Sequence, residues 1–339
     1  MKIVTFGEIM LRLAPLDYLR FAQSDCLEAT YGGGEANVAV ALANLGLEAA
    51  FVTKLPNNDI AQGAINSLRK FGVNTTGILR GGDRIGIYYL EKGASQRPSK
   101  VTYDRAGSSI ATAKRGEFDF EKLFKGADWF HFTGITPALS DEVAAITEDA
   151  CNAAKKLGIK ISCDLNYRNK LWSKAKAKEV MSGLMQYVDV LIANEEDSKD
   201  VFGISAEDTD LTGGHLSYDG YKKVAKQLVD TFGVKYVAIT LRGSISANDN
   251  KWAAMLYDTK EYYFSKEYNI HIVDRVGGGD SFGAGLIYGL LNYSDNQKII
   301  DFATGTSCLK HTIQGDYNLI SVDEVLKLVG GDGSGRVQR

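Results

Sequence analysis

The chain has few of the residues that would tie its chemistry to a metal, a disulfide scaffold or a nucleic acid. Its 339 residues include four cysteines, Cys26, Cys151, Cys163 and Cys308, and four histidines, His131, His215, His271 and His311. Neither set shows C-x-x-C or H-E-x-x-H spacing, so structural-zinc, metal-hydrolase and dithiol readings lose their support. The scattered cysteines, mostly in apolar stretches, are read as reduced core residues. No histidine is given a role.

An excess of one charge is missing too. Lys and Arg number 39 against 42 Asp and Glu, for a net charge of -3 without any block of like charge, which argues against a nucleic-acid partner. No apolar run reaches membrane-spanning length, and MKIVTFGEIMLRL meets Gly7, Glu8 and Arg12 too early for a signal-peptide core. The expectation is a cytoplasmic chain with no membrane partner. The absence of repeats excludes solenoids and propellers.

What is present is a 45% hydrophobic composition, enough for a large α/β core. Short apolar runs rich in β-branched residues, at 2–6, 50–54, 129–132, 160–163, 188–193 and 236–241, alternate with helical patterns at 35–44, 141–157 and 219–232 that end at Gly46, Gly158 and Gly233. That rhythm predicts a parallel-rich sheet flanked by crossover helices. Two stretches break it, 11–31 and 84–110, whose alternation suggests antiparallel strands outside the main sheet. They read as a small β lid, with a possible dimer contact, over a main domain of 1–10, 32–83 and 111–330. A hairpin is expected after Trp252, and 331–339 reads as a mobile tail.

The strongest local signal is IHIVDRVGGGDSFGAGLIYGLL, residues 270–291: an apolar strand, a glycine turn, then a helix expected near Asp280. Gly277, Gly278 and Gly279 carry no side chain to block a phosphate, and the first amides of a helix are unpaired donors favoured by its dipole. Asp280 beside such an anion hole suits removal of a proton from a hydroxyl as it attacks a phosphoryl group. Two other readings stand beside this one. Asp280 could simply cap the helix, and Gly279 to Gly283 spell the G-x-S-x-G of a hydrolase nucleophile elbow, although only His311 follows Ser281. A second cluster, Gly32 to Gly34, opens another helix, with Asn37 in its first turn. Neither cluster matches a Walker A motif or the dinucleotide fingerprint.

Together YGGGEANVAVALANLG and VDRVGGGDSFGAG resemble the paired motifs of the ribokinase-like family of carbohydrate kinases, and the resemblance spans almost the whole chain. FGEIMLRL, VTYDRA, CDLNYR and ANEED, standing in order, lean toward the branch that phosphorylates 2-keto-3-deoxygluconate. The resemblance implies a ribokinase-like α/β fold with a β lid, ATP and Mg²⁺, and room for a monovalent cation, and the lid itself suggests a homo-oligomer. It places Asp280 as general base and Gly277 to Gly279 as the anion hole. Gly34, Tyr89, Tyr103, Arg105, Arg168 and Asp316 would meet the sugar acid. Asn166, Arg168, Asn194, Thr240, Arg242 and Gly243 would line the nucleotide side. Arg105 and Arg168 suit a carboxylate because a guanidinium can bind it in bidentate fashion. Gly278 departs from the usual Ala, Arg275 and Val276 stand where Thr is frequent, Asp197 replaces a common Glu, and Ser246 replaces a loop glycine. A fructokinase or ribokinase acting on a neutral sugar, and a sugar-acid-binding regulator without transfer activity, remain as alternatives.

Overall fold

The computed structural model describes residues 1–205 and 218–333. In chain order its elements are β1 (Lys2–Phe6), β2 (Met10–Ala14), β3 (Glu28–Gly32), α1 (Gly34–Asn44), β4 (Glu48–Leu55), α2 (Asp59–Arg69), β5 (Ile78–Arg80), β6 (Gly86–Glu91), β7 (Lys100–Asp104), α3 (Phe120–Leu123) and β8 (Trp129–Thr133). There follow α4 (Asp141–Lys156), β9 (Lys160–Asp164), α5 (Lys174–Met185), β10 (Val190–Ala193), α6 (Glu195–Phe202), α7 (Tyr218–Phe232), β11 (Tyr236–Ser244), β12 (Asp249–Tyr257), β13 (Tyr262–Phe264), β14 (Tyr268–His271), α8 (Gly278–Asn292), α9 (Asn296–Lys310) and α10 (Val322–Val329).

The large sheet runs β13-β12-β11-β10-β9-β8-β1-β4-β5, parallel from β11 to β5, with β12 antiparallel to β11 and both β13 and β14 antiparallel to β12. Strand alternation sends neighbouring side chains into opposite cores. Val4, Phe6, Phe130 and Phe132 join α3 to α7 on one face. Ile3, Phe51 and Trp129 join α1, α2, α8 and α9 on the other. The strand order reverses between β1 and β8, the place where an open α/β sheet leaves a crevice at its carboxyl ends.

The strands expected from apolar runs are present, with their ends moved by up to three residues. The strand read into IHIVD is shorter, because the amides of Val273 and Asp274 leave the sheet to donate to the His311 carbonyl. Helix α8 starts two residues ahead of Asp280.

A second sheet, β3-β2-β6-β7, is built from the two stretches that broke the rhythm. Its outer pairs are antiparallel, but β2 and β6 run parallel, which corrects the all-antiparallel expectation. The reason is topological. Each hairpin leaves the main sheet from the carboxyl end of a parallel strand, β1 or β5, so both first strands set out in the same direction. All four cysteines are free, but Cys26, between β2 and β3, is exposed rather than in a core. No helix among the described residues is long and apolar enough to cross a membrane. His215 and residues 334–339 of the expected tail lie outside the described residues.

Candidate active site

The two sheets face each other across a cavity of about 330 Å³, a size suited to a small ligand. Its floor is the crevice at the carboxyl ends of β9, β10 and β11, flanked by the starts of α1 and α8.

The three glycines before Asp280 serve three different needs. Gly277 is left-handed (φ 84°), and a Cβ there would lie 2.1 Å from the Asp316 carbonyl oxygen. Gly278 packs on His311, whose ring a Cβ would meet at 2.6 Å, and its amide turns inward to the Arg275 carbonyl. A Cβ on Gly279 would meet nothing within 4 Å, so this residue opens onto the cavity. The amides of Gly277, Gly279 and Asp280 find no acceptor among the described residues, which leaves three unpaired donors at the start of α8. Gly278, expected among them, belongs to the packed underside.

Asp280 is the third residue of α8, and Gly277 is the N-cap. Its carboxylate therefore faces the cavity and does not cap its own helix. Asn37, in the first turn of α1, donates to it at 2.7 Å, while the Asn37 amide oxygen accepts from the Gly33 N–H at 3.2 Å. Gly34 stands opposite, where a Cβ would approach the Asp280 Oδ1 at 3.5 Å. Burial pushes the Asp280 pKa up to about 6, against the lowering pull of the Asn37 bond. Ser281 is buried, 1% exposed, and has no elbow geometry.

Glu35 fastens α1 to the end of β8. Its Oε1 accepts from the Thr133 N–H (2.9 Å) and from the hydroxyls of Thr133 (2.8 Å) and Thr136 (2.6 Å), and burial pushes its pKa up to about 7. Gly7 must be small because a Cβ there would strike this carboxylate.

At the ends of β9 and β10, Asp164, Asn166 (φ 38°), Arg168, Asn194 and Asp197 line the cavity. Asn194 caps α6 by accepting from the Asp197 N–H at 2.8 Å. Asp197 accepts from the Tyr167 N–H at 3.1 Å, and burial lifts its pKa to about 6. Asp164 is held well above the usual carboxylate range by burial, with Asp197 and Asp280 adding to it. Arg168 donates to the Tyr167 carbonyl at 3.0 Å, and its charge opposes these shifts.

The second sheet supplies Tyr103 and Arg105 to the cavity. Arg105 stacks over the Tyr103 ring at 5.2 Å and is ion-paired to buried Glu8, whose other oxygen accepts from Ser108 at 2.6 Å. Tyr89 is corrected to Tyr88. Residues along β6 alternate, so Tyr89 turns away against Phe21 while Tyr88 faces inward and donates to Asp316 at 2.5 Å. Asp316 also accepts from Arg12 at 2.7 Å, and Arg12 reaches Asp274 at 2.6 Å. Arg12 was overlooked because its partners lie hundreds of residues away in sequence.

Along β11, Thr240 lines the cavity, whereas exposed Arg242 and buried Gly243 lie beyond its lining. Gly243 packs on Lys251, where a Cβ would meet the lysine Cβ at 3.2 Å. Arg242 is near enough to Arg275 to help burial lower its pKa, and Arg275 donates to the Ala247 carbonyl at 3.0 Å.

The chain is similar to known carbohydrate kinases. Residues 1–322 match the model of the pfkB family carbohydrate kinases. The chain is 31% identical over 334 residues to a 2-dehydro-3-deoxygalactonokinase of Haloferax volcanii, covering 98% of each chain. It is 28% identical over 329 residues to a 2-dehydro-3-deoxygluconokinase of Bacillus subtilis, covering 95% of this chain and 93% of the other. The crystal structure of a 2-dehydro-3-deoxygluconokinase from Thermotoga maritima superposes with a TM-score of 0.94 at 56% identity over 98% of each chain.

Proposed function

This chain belongs to the pfkB family of carbohydrate kinases, and on that premise we propose that it carries a phosphoryl group from ATP to a sugar acid, converting 2-keto-3-deoxygluconate to its 6-phosphate. The observation that carries this reading is the convergence of two helix starts on one half-buried carboxylate. Asp280 sits in the first turn of α8 and is gripped by Asn37 from the first turn of α1.

In this reading the acceptor hydroxyl gives its proton to Asp280, its oxygen bonds to the γ-phosphorus, and the bond to the β–γ bridging oxygen breaks to release ADP. The unpaired amides of Gly277, Gly279 and Asp280 would receive charge on the moving phosphoryl, as donors fixed before the reaction. These amides, with Arg275 nearby, fit a polyphosphate. Mg²⁺ brought by ATP would neutralise part of the phosphate charge. Arg105 is already matched by Glu8, which leaves Arg168 as the better guanidinium for the substrate carboxylate. The second sheet would act as the lid, and its outer face would serve any contact between copies of the chain. The expected address is the cytoplasm.

The test is ADP release by purified protein with ATP and Mg²⁺, assayed side by side on 2-keto-3-deoxygluconate, its 2-keto-3-deoxygalactonate epimer, fructose and ribose. The sugar acids should be preferred. Faster turnover of fructose or ribose would overturn the sugar-acid reading, and sugar-acid binding with no ADP release from any substrate would point to a non-catalytic sensor.

A further inference from the structure

Lys310, the last residue of α9, is fully buried at 0% exposure, an unusual place for an ammonium group. It donates to two backbone carbonyls, Asp274 at 3.4 Å and Ile313 at 3.2 Å. Both acceptors belong to the segments that shape the glycine turn. Asp274 opens the run leading to Gly277, and Ile313 begins the loop whose Asp316 carbonyl presses on Gly277. A Cβ on Gly277 would lie 3.3 Å from the lysine Cε, so only the turn separates the lysine from the cavity. Burying a lone cation is costly, and the carboxylates of Asp274, Asp316 and Asp280 offset only part of that cost.

We propose that Lys310 is a positioning residue for phosphoryl transfer: from behind Gly277 its ammonium fixes the turn and places a positive charge beneath the amides that receive the phosphoryl group. This inference rests on the kinase reading. The charge is fixed by packing and needs no rearrangement during the reaction, the condition under which electrostatic stabilisation is most effective.

Lys310 faces Asp274, Asp316, Asp280 and Arg12, while Lys92 approaches Asp274 from the second sheet at 4.0 Å and His311 and Arg275 lie beside the turn. Burial lowers the Lys310 pKa to about 8 and that of His311 to about 4, and holds Tyr88 well above its usual value. Between pH 7 and 9 the arginines stay charged and His311 and Tyr88 stay neutral, so Lys310 is the group of this set that changes charge. Its ammonium is present below pH 8 and lost above it.

The experiment compares native protein with Lys310→Met. The native kcat should fall as pH rises through about 8. In the variant kcat should drop about 10- to 100-fold, toward the cost of losing one oxyanion donor, with KM for the sugar acid nearly unchanged and the alkaline limb gone. Ammonium chloride should restore part of the lost rate, by refilling the cavity left between the carbonyls, and choline chloride at equal ionic strength should not. A native profile without an alkaline limb overturns the inference, as does a folded variant with native kcat or one that ammonium leaves unaided. Should native protein release no ADP from any substrate, the kinase reading fails. The inference would then be decided by calorimetric titration with ATP, where native affinity in Lys310→Met overturns it and weakened affinity supports it.

Discussion

Asp280 gathers what a general base needs in one side chain: partial burial, a pKa raised to about 6, and an orienting donor in Asn37. Replacing it with Asn keeps the shape and removes the basicity, so kcat should fall by about 10²–10⁴ while the protein melts at or above the native temperature. The native rate should decline below pH 6 as the carboxylate takes up a proton. Steady-state kinetics from pH 5 to 8 checks this, and near-native turnover by Asp280→Asn would rule out general-base catalysis by Asp280. The glycines offer a sharper separation of fold from function. Gly277→Ala places a side chain at positive φ against the Asp316 carbonyl and should cost about 1–3 kcal/mol or more of stability. Gly279→Ala meets open space and should change stability by no more than about 0.5 kcal/mol, yet its methyl group would stand where the phosphate belongs. Thermal melts alongside ATP affinity should therefore rank the two variants in opposite orders.

At the scale of elements, the joint between α1 and β8 rests on Glu35. All three of its hydrogen bonds from Thr133 and Thr136 arrive at one oxygen, a pattern a glutamine carbonyl can also accept. Because burial raises its pKa to about 7, the folded state holds the Glu35 proton more tightly than the unfolded chain does. The stability linked to this proton is present below the unfolded value near 4.5 and is lost as pH rises through about 7, by up to about 3 kcal/mol. Glu35→Gln should thus gain on the native protein in urea denaturation between pH 5 and 8. A constant difference across that range would contradict the assignment. Much of this level was legible in advance, because apolar runs and capping glycines mark the strands and helices of the main sheet. The misses have local causes. GIYYLE carries adjacent tyrosines, and a one-residue change of register decides whether Tyr88 or Tyr89 faces the cavity, which alternation alone leaves open. The parallel pairing of β2 with β6 depends on where two distant hairpins leave the main sheet. Lys310 reads in sequence as an ordinary basic residue near a helix end, and its burial emerges only when Asp274 and Ile313 fold over it.

Across the whole molecule, one buried cluster joins the second sheet to the glycine turn ahead of Asp280. Arg12 on β2 bridges Asp274, 262 residues away, and Asp316, 304 residues away, while Tyr88 on β6 adds its hydroxyl to Asp316. All four side chains are nearly inaccessible to water. In such a place the pairing matters chiefly through what its loss leaves behind, since two carboxylates would remain buried with their main counter-charge removed. Arg12→Met, which fills similar space without the charge, should cost about 3–5 kcal/mol of stability, on the scale of breaking other buried pairs. The loss should also be uneven. Amide exchange should quicken at Met10–Ala14 and Gly86–Glu91 more than at Lys2–Phe6 or Trp129–Thr133, because the former strands are tied to the main body through this cluster and the latter are enclosed by packed cores on both faces. Since the same cluster backs the Gly277 turn, affinity for ATP and for the sugar acid should weaken together. A variant that melts like native protein, with unchanged exchange in both strand sets, would mean that the second sheet is held by its apolar contacts with Val276 and not by charge.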